Sequence, residues 1–537
     1  MENNPQNPIN HVVVMMFENR SFDHILGDMP DVNGLFDANG VLKPDIYNSI
    51  NPLQPANGAQ IPFPITPGAS ELAYIPPVNS PGNFNHDFTA MLTDLYGPGT
   101  TGVNEGNPLT NPTTTYPPAN SGFVVSNEYQ TGYINNKQYA VMSYFQWNSM
   151  KVFHTLASEF VVCDNWFCDM PGHTAPNRAF MHCATTGSLG IDDNDAANES
   201  YPIPSDPSMV YKPTIFEALA ATGATWKMYW PGANLDTDFL NMNVANEMWT
   251  GQDPLQTNCT GVPLTQFCTD VASNNLPFYS FIMCWNDLGI SADTSMHPQT
   301  PVEGGENLLA GVYNTLRNSP YWANTLLVVN FDENGGIYDH VTPPQTIPPY
   351  PGAAPDTWLA NGITYQFDYS TLGVRIPVLL ISPWLNSGVD STQFQNTSVL
   401  RYLQDLVTPP SVKKNKDDLP ALFLTERDRN ANSIALTFET FGAQQMRTDC
   451  IQNLPTYPNN TFANGICTPI TPTPEQLAAT PPLYLQELTR EYIGGLPGHP
   501  DSHKPINMHF ATVKEMRAYV EERRTAARAY YKRVLGR

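Results

Sequence analysis

The sequence predicts an α/β fold in which a mostly parallel sheet is sandwiched by helices. Two observations carry this prediction. Short apolar runs bounded by turn residues indicate buried strands, and segments with helical spacing lie between several of them. Strands that alternate with helices are typical of parallel sheets covered on both faces. The predicted strands are 11–17, 160–163, 225–229, 278–283, 325–331 and 376–381, and the predicted helices are 142–158, 214–221, 306–317 and 398–406.

Length and composition indicate one large domain with a smaller appendage, because 537 residues exceed what one hydrophobic core usually supports. We predict a main domain at 1–407, a linker at 408–420 and a C-terminal region at 421–537. The segment from about 44 to 115 is rich in Pro, Asn and Gly, which indicates a long loop insertion within the main domain.

The C-terminal region is predicted to end in a basic amphipathic helix at about 511–535. Its apolar stripe leaves two alternatives open: the helix docks on the acidic body of the protein, or it lies on an anionic lipid surface. The second alternative would make the protein a peripheral membrane protein. No apolar run approaches the roughly 18 to 20 residues that a transmembrane helix needs, so no transmembrane segment is expected.

The net charge of −24 follows from 26 basic and 50 acidic residues. Such a charge repels polyphosphate backbones, which excludes nucleic acid as a general partner. The N-terminus has no basic and apolar segment before the first predicted strand, so no cleavable signal peptide is expected. We therefore expect a cytoplasmic protein or one that is exported without such a signal.

Eight cysteines form no CxxC pair, which argues against a thiolate zinc site. Cys259 with Cys268 and Cys450 with Cys467 lie in polar loops and could close disulfides. Whether they do depends on the compartment.

Acidic residues follow two of the predicted strands. Glu18 and Asn19 come directly after strand 11–17, and Asp332 and Glu333 follow strand 325–331. Ligands of open α/β sheets bind beyond the carboxyl ends of strands, and three carboxylates in one place need a cation. Oxygen ligands suit magnesium, calcium or manganese and are compatible with zinc. The alternative is that each acid is an ordinary turn or cap residue.

Thr174 is the candidate nucleophile. It follows strand 160–163 and lies just ahead of Pro176, which fits the start of a helix. The N–H groups and the dipole of a helix N-terminus favour an anion there, so a phosphate attacked by Thr174 would lie at this point. The alternative is that Thr174 only caps the helix.

Of the eleven histidines, we single out three that lie in polar loops, namely His86, His297 and His340. A histidine in a loop is the usual general acid or oxyanion donor when the leaving group is an alkoxide. These three residues are therefore candidates for proton transfer.

Three motifs, at 18–24, 174–178 and 332–340, resemble those of a known family. This is the phosphoesterase family of bacterial and plant non-specific phospholipases C and the related acid phosphatase A, and the resemblance covers about residues 11–385. It implies an alkaline-phosphatase-like fold with one divalent metal ion. The metal ligands that it implies are Glu18, Asn19, Thr174, Asp332 and Glu333.

The resemblance also implies roles for the remaining candidates. Thr174 would be the nucleophile, and His297 would contact the phosphoryl group or protonate the leaving alkoxide, whereas His86 matches a looser motif. The candidates for substrate binding are Asn177, His340 and Asn334, and the plant form of the last motif has His where this chain has Asn334.

The function implied is a metal-dependent phospholipase C that releases diacylglycerol and a phosphorylated head group through a phosphothreonine intermediate. An acid phosphatase, that is a phosphomonoesterase of the same fold, shares the same chemical core. A non-catalytic lipid-binding protein is the alternative from another class, and the complete set of candidate residues argues against it. The expected partner is thus a phospholipid or another phosphate ester.

Overall fold

A computed structural model describes most of the predicted main domain and parts of the predicted C-terminal region. The described residues are 8–49, 59–68, 84, 86–97, 119–127, 139–186, 214–230, 261–284, 294–298, 300–360, 363–408, 422–458, 465–468, 474, 478, 480, 510–516, 518, 519, 522 and 526.

An eight-stranded sheet forms the centre of this structure. Its strands, in spatial order, are Gly388–Asp390, Val161–Cys163, Val378–Ile381, Thr325–Phe331, His11–Phe17, Tyr279–Met283, Trp226–Trp230 and Gly261–Pro263. Val378–Ile381 is antiparallel to both of its neighbours, and all other pairs are parallel. The predicted mostly parallel sheet and all six predicted strands are thus confirmed, and two short edge strands are added.

The two central strands bring the ends of two sequence motifs together. Along His11–Phe17 and Thr325–Phe331 every residue but His11 is buried, as expected for strands covered on both faces. The strands pair in register up to Phe17 and Phe331, and the N–H of Asp332 donates to the carbonyl oxygen of Phe17 at 3.1 Å. Residues 18 and 332 therefore leave the sheet side by side.

Helices and small sheets surround this core. The helices are Phe22–Leu26, Phe88–Tyr96, Phe123–Ser126, Phe153–Glu159, Thr174–Cys183, Ile215–Ala221, Leu264–Ala272, Glu303–Arg317, Thr397–Val407, Glu426–Asn430 and Ala435–Phe441, with 3-10 turns at Ala140–Met142 and Pro320–Asn324. The two-stranded sheets pair Asn48–Ser49 with Ala59–Gln60, Phe63–Ile65 with Ser143–Phe145, Trp166–Phe167 with Phe394–Gln395, and Asp356–Ala360 with Ile363–Phe367.

The helix predicted at 142–158 is wrong in its first half. Residues 143–145 form a strand that pairs with Phe63–Ile65, and Asn148 has a φ of 65°. A left-handed residue interrupts a right-handed helix, so the helix begins only at Phe153. The insertion predicted at 44–115 contains strands and the helix Phe88–Tyr96 among its described residues, while the rest of it lies outside them.

Residues beyond position 420 pack on residues of the predicted main domain. The buried side chain of Arg427 donates to Asp169 at 3.2 Å and to the carbonyl of Tyr369. The hydroxyl of Tyr457 accepts from the N–H of Lys151 at 3.0 Å. Of the predicted linker at 408–420, only Thr408 lies within the described residues.

A disulfide joins Cys268 of the helix Leu264–Ala272 to Cys467. The predicted pairing of neighbouring cysteines is therefore wrong. The bonded residues lie 199 positions apart in the sequence, and only the tertiary fold brings them together. Cys450 is a buried free thiol, and Cys259 lies outside the described residues.

The predicted C-terminal helix is described only in part. Residues 513–516, 518, 519, 522 and 526 are helical, and the apolar side chains of Val513 and Met516 are buried. This start of the helix therefore packs on protein. The remainder of 511–535 lies outside the described residues. Within the described chain, no helix has the length and apolar character to cross a membrane.

Candidate active site

The ends of the two central strands are joined by hydrogen bonds to one carboxylate. Asp332 Oδ1 accepts from the N–H of Asn19 at 3.0 Å and from the N–H of Glu333 at 2.7 Å. Asn19 has a φ of 60°, a conformation that Asn tolerates better than most residues. The two motifs thus form one buried unit.

Thr174 lies against this unit. It is the first residue of the helix Thr174–Cys183, and its hydroxyl donates to Asn19 Oδ1 at 3.1 Å. The N-cap residue is His173, which makes no side-chain cap bond. The alternative that Thr174 only caps the helix is therefore wrong, because its hydroxyl bonds to another motif. The first N–H groups of a helix have no intrahelical partner, which suits this end of the helix to a phosphate.

The amide of Asn19 also contacts two histidines. Its Nδ2 donates to Nε2 of His86 and to Nε2 of His297, each at 3.2 Å. Because an amide nitrogen only donates, each ring accepts with Nε2 in this arrangement. His86 Nδ1 accordingly donates to the carbonyl of Phe84 at 2.6 Å. Asn19 therefore links the hydroxyl of Thr174 to two imidazole rings.

Both histidines are neutral near pH 7. Burial, with a contribution from the nearby His173, lowers the pKa of His86 to about 4. Burial, followed by the charges of His86 and Arg20, lowers the pKa of His297 well below its usual value. A neutral imidazole has a ring nitrogen that can accept a proton, while the lowered pKa makes each ring a weaker base than an exposed histidine.

Glu333 is fully shielded from solvent, as Asp332 is. Its carboxyl is fully buried, and among the described residues its Oε1 has no hydrogen-bond partner. His86 Nε2 lies 3.7 Å from this oxygen. Burial first, and then repulsion by Asp332, raises the pKa of Glu333 well above its usual value. A carboxyl oxygen held in this way is suited to bind a cation.

The donor set fits a hard divalent metal ion. Glu18, Asp332 and Glu333 offer carboxylate oxygens, Asn19 an amide oxygen and Thr174 a hydroxyl. Carboxylate and carbonyl oxygens are the ligands that magnesium, calcium and manganese prefer. The unpartnered Oε1 of Glu333 supports this fit. The residues that would hold the ion are the five that the sequence indicated, Glu18, Asn19, Thr174, Asp332 and Glu333.

Two arginines of the motifs have functions in the site that were not predicted from the sequence. Arg178 Nε donates to Asp332 Oδ2 at 3.1 Å, and its Nη2 donates to Glu18 Oε1 at 3.3 Å. Arg20 donates to the carbonyl oxygens of Met296 at 2.6 Å and of His297 at 3.3 Å. Arg20 therefore fixes the loop that carries His297. For Arg178, the available signal in the sequence was its spacing of four residues from Thr174.

Asn177 and Asn334, both candidates for substrate binding, bond to main chain. The Asn177 amide contacts the carbonyls of Met170, Gly172 and His173 at 3.0–3.2 Å. This arrangement holds the loop that precedes Thr174. The Asn334 amide donates to the carbonyl of Ile337 at 3.1 Å and so holds the turn after the acidic pair. Both side chains are fully buried.

His340 makes its hydrogen bonds away from Thr174. Its Nδ1 contacts Asp23 Oδ2 at 2.7 Å, and its Nε2 contacts Asn33 Oδ1 at 3.2 Å. The ring lines a cavity of about 360 Å³ together with Tyr338 and Asn120. His340 thus belongs to a neighbouring cavity and not to the hydrogen-bonded cluster around Asn19.

Asp23, Asp339 and His340 place potential metal-binding atoms within 4.8 Å of one another. However, the guanidinium of Arg375 pairs with Asp23 at 2.9 Å and with Asp339 at 3.1 Å. The guanidinium therefore already supplies a positive charge to both carboxylates of this cluster. The cluster serves to join the motifs at 18–24 and 332–340.

Comparison with known proteins places the chain among enzymes that act on phosphate esters. The model of the Phosphoesterase family matches residues 9–408. Non-specific phospholipase C5 of Arabidopsis thaliana is 30% identical over 454 residues, which are 83% of this chain and 77% of that protein. Phospholipase C B of Mycobacterium tuberculosis is 29% identical over 412 residues, which are 74% and 73% of the two chains.

Solved structures overlap with the chain only weakly. A protein in the alkaline phosphatase superfamily from Vibrio parahaemolyticus is 15% identical, with a TM-score of 0.26 over 47% of this chain and 59% of that chain. Murine ectonucleotide pyrophosphatase / phosphodiesterase 5 is 12% identical, with a TM-score of 0.28 over 49% and 92% of the two chains. Overlaps this small do not bear on mechanism.

Proposed function

Because the chain belongs to the Phosphoesterase family and is therefore a phosphoric ester hydrolase, we propose that it is a metal-dependent phospholipase C. Its substrates would be glycerophospholipids, cleaved to diacylglycerol and a phosphorylated head group. The observation that carries the proposal is the hydrogen bond of the Thr174 hydroxyl to Asn19, whose amide also contacts His86 and His297. The Asn19 amide thus contacts the proposed nucleophile and both candidate bases.

Thr174 is the nucleophile of the proposed reaction. Its oxygen attacks phosphorus in line with the glycerol oxygen, whose bond to phosphorus breaks. The N-terminal N–H groups of the helix Thr174–Cys183 stabilise the negative charge on the phosphoryl oxygens. The product of this step is a phosphothreonine that still carries the head group.

His297 moves the proton, with His86 as the second candidate. The neutral ring takes the proton that Thr174 loses and gives it to the departing diacylglycerol oxygen. In the second step the same ring takes a proton from water, which attacks phosphorus while the bond to Thr174 breaks. Thr174 regains a proton as it leaves, so the enzyme returns to its starting state.

A divalent cation held by Glu18, Asn19, Thr174, Asp332 and Glu333 would lower the pKa of the attacking hydroxyl and neutralise charge on the phosphate. The protein's own contribution is to align the ligands. Asp332 Oδ1 is fixed by two main-chain N–H groups, and Asn19 is oriented by its contacts with Thr174 and both imidazoles.

The test compares two substrates under controlled metal content. Diacylglycerol release from phosphatidylcholine micelles is measured beside hydrolysis of a soluble aryl phosphate monoester, first with chelator and then with zinc, calcium, magnesium or manganese restored. We expect metal-restored diacylglycerol release that exceeds monoester cleavage. A reversed preference would identify a phosphomonoesterase instead. Turnover of neither substrate, with lipid binding retained, would support the non-catalytic alternative.

A further inference from the structure

Arg178 connects the helix of the nucleophile to both acidic motifs. It lies four residues after Thr174, so the two side chains share one face of the helix. Its guanidinium contacts Asp332 Oδ2 at 3.1 Å and Glu18 Oε1 at 3.3 Å. All three side chains are at most 3% exposed. Arg178 thus ties the helix that begins at Thr174 to the ends of both central strands, in addition to the hydrogen bond between Thr174 and Asn19.

Arg178 is the cation that pairs with two of the three acids of the site. Glu18, Asp332 and Glu333 contribute three negative charges when ionised. Arg178 contributes one positive charge, because its guanidinium stays protonated in proteins. The remainder is −2, which one divalent cation neutralises. Buried carboxylates without a counter-charge are strongly unfavourable, so a metal-free protein that lacked Arg178 would hold Glu18 and Asp332 without the cation that pairs with them.

We propose that Arg178 is a positioning residue that acts as the permanent counter-ion of the metal site. It holds Glu18 and Asp332 in place before the metal arrives, and its charge limits the affinity of the site for the metal. This inference rests on the proposed function, because it takes these carboxylates to be metal ligands. A purely structural arginine would hold the helix without affecting metal affinity.

The test separates the charge of Arg178 from the ability of its guanidinium to bridge two carboxylates. Arg178→Met removes the charge at similar length, and Arg178→Lys keeps the charge but cannot bridge two carboxylates. Arg427→Met serves as the control, because Arg427 is another buried arginine, paired with Asp169 at 3.2 Å and not bonded to the metal-site acids. Calorimetric titration of the metal-free proteins with the ion that binds the wild type most tightly gives the dissociation constants.

We expect Arg178→Met to bind the metal at least tenfold more tightly than the wild type, since one repelling charge is gone. Its metal-free form should unfold at a lower temperature. Arg178→Lys and Arg427→Met should bind with wild-type affinity, whereas kcat should fall at least tenfold in both Arg178 variants. Equal or weaker metal binding by Arg178→Met, or an unchanged kcat in Arg178→Lys, overturns the inference.

Should Arg178→Met fail to fold, Arg178→Lys still decides the matter through its kcat and its metal affinity. A wild type that binds metal but turns over no phospholipid would contradict the proposed function, while the titrations would still test the charge balance. A wild type that binds none of the four ions would overturn the inference itself.

Discussion

Gly335 lies so close to Asn19 that a Cβ at position 335 would overlap the Asn19 carbonyl oxygen and lie 2.7 Å from the Asn19 Cβ. Gly335 also has a φ of +63°, which side chains disfavour. The turn after Asp332 and Glu333 is thus in direct contact with the residue that holds Thr174. Only a glycine permits both the backbone conformation and the contact.

Gly335→Ala should displace Asn19 and lower activity at least tenfold, with a loss of more than about 2 kcal/mol in the free energy of unfolding. Gly352→Ala is the matched control, because Gly352 has a φ of +83° and a Cβ added there would meet no atom within 4 Å. That variant should lose about 1 kcal/mol and keep its activity. Urea unfolding and lipid hydrolysis are the measurements. Equal losses of stability and activity in the two variants would show that backbone strain, and not the contact with Asn19, causes the effect.

Thr174→Ala should abolish turnover while the fold stays intact, because the nucleophile is removed and only one buried hydrogen bond is lost. That bond is worth about 1 kcal/mol. Thr174→Ser keeps a hydroxyl in the same place and should retain measurable turnover. Product release is followed beside thermal unfolding of each variant, and wild-type rates in Thr174→Ala would exclude the phosphothreonine.

Glu306 should make the protein less stable as the pH rises. Its Oε1 accepts from the N–H groups of Val152 and Phe153 at 2.9 and 2.6 Å, and burial raises its pKa from 4.5 to about 7. The folded state therefore binds more protons than the unfolded state between these values, and stability falls as the pH rises through that range. The shift corresponds to about 3 kcal/mol.

Glu306→Gln should remove this part of the pH dependence, since an amide does not titrate and its oxygen can still accept both bonds. The measurement is the free energy of unfolding of each protein at several pH values on both sides of the titration range. Glu303→Gln, on the same helix but partly exposed, is the control. If the free energy of unfolding of the wild type changed with pH as that of Glu306→Gln does over this range, the raised pKa would be contradicted.

The sequence predicted the central sheet well because its strands are long or strongly apolar. It did not predict Gly261–Pro263 and Gly388–Asp390, since three residues that include Gly or Pro show no strand pattern, and pairing with a neighbour alone defines them. The antiparallel direction of Val378–Ile381 is likewise invisible in the sequence, because an apolar run has no direction.

The candidate site was predictable where polar residues directly follow strands. Glu18 and Asp332 meet because Phe17 and Phe331 are in register. The partners of Arg178 lie 154 and 160 positions away in the sequence, and no local pattern reveals which acid an arginine will meet. His340 was included among the candidate site residues because it lies in the same motif as Asp332 and Glu333. Its hydrogen bonds, however, are to Asp23 and Asn33.

The bond between Cys268 and Cys467 closes a covalent ring that contains His297, Asp332 and Glu333. A protease that cut the backbone once inside this ring would leave two peptides still held as one molecule. The nicked protein would run as a single species on a denaturing gel without reductant and as two fragments with it. Survival of a cleaved chain would thus depend on the redox state of its surroundings.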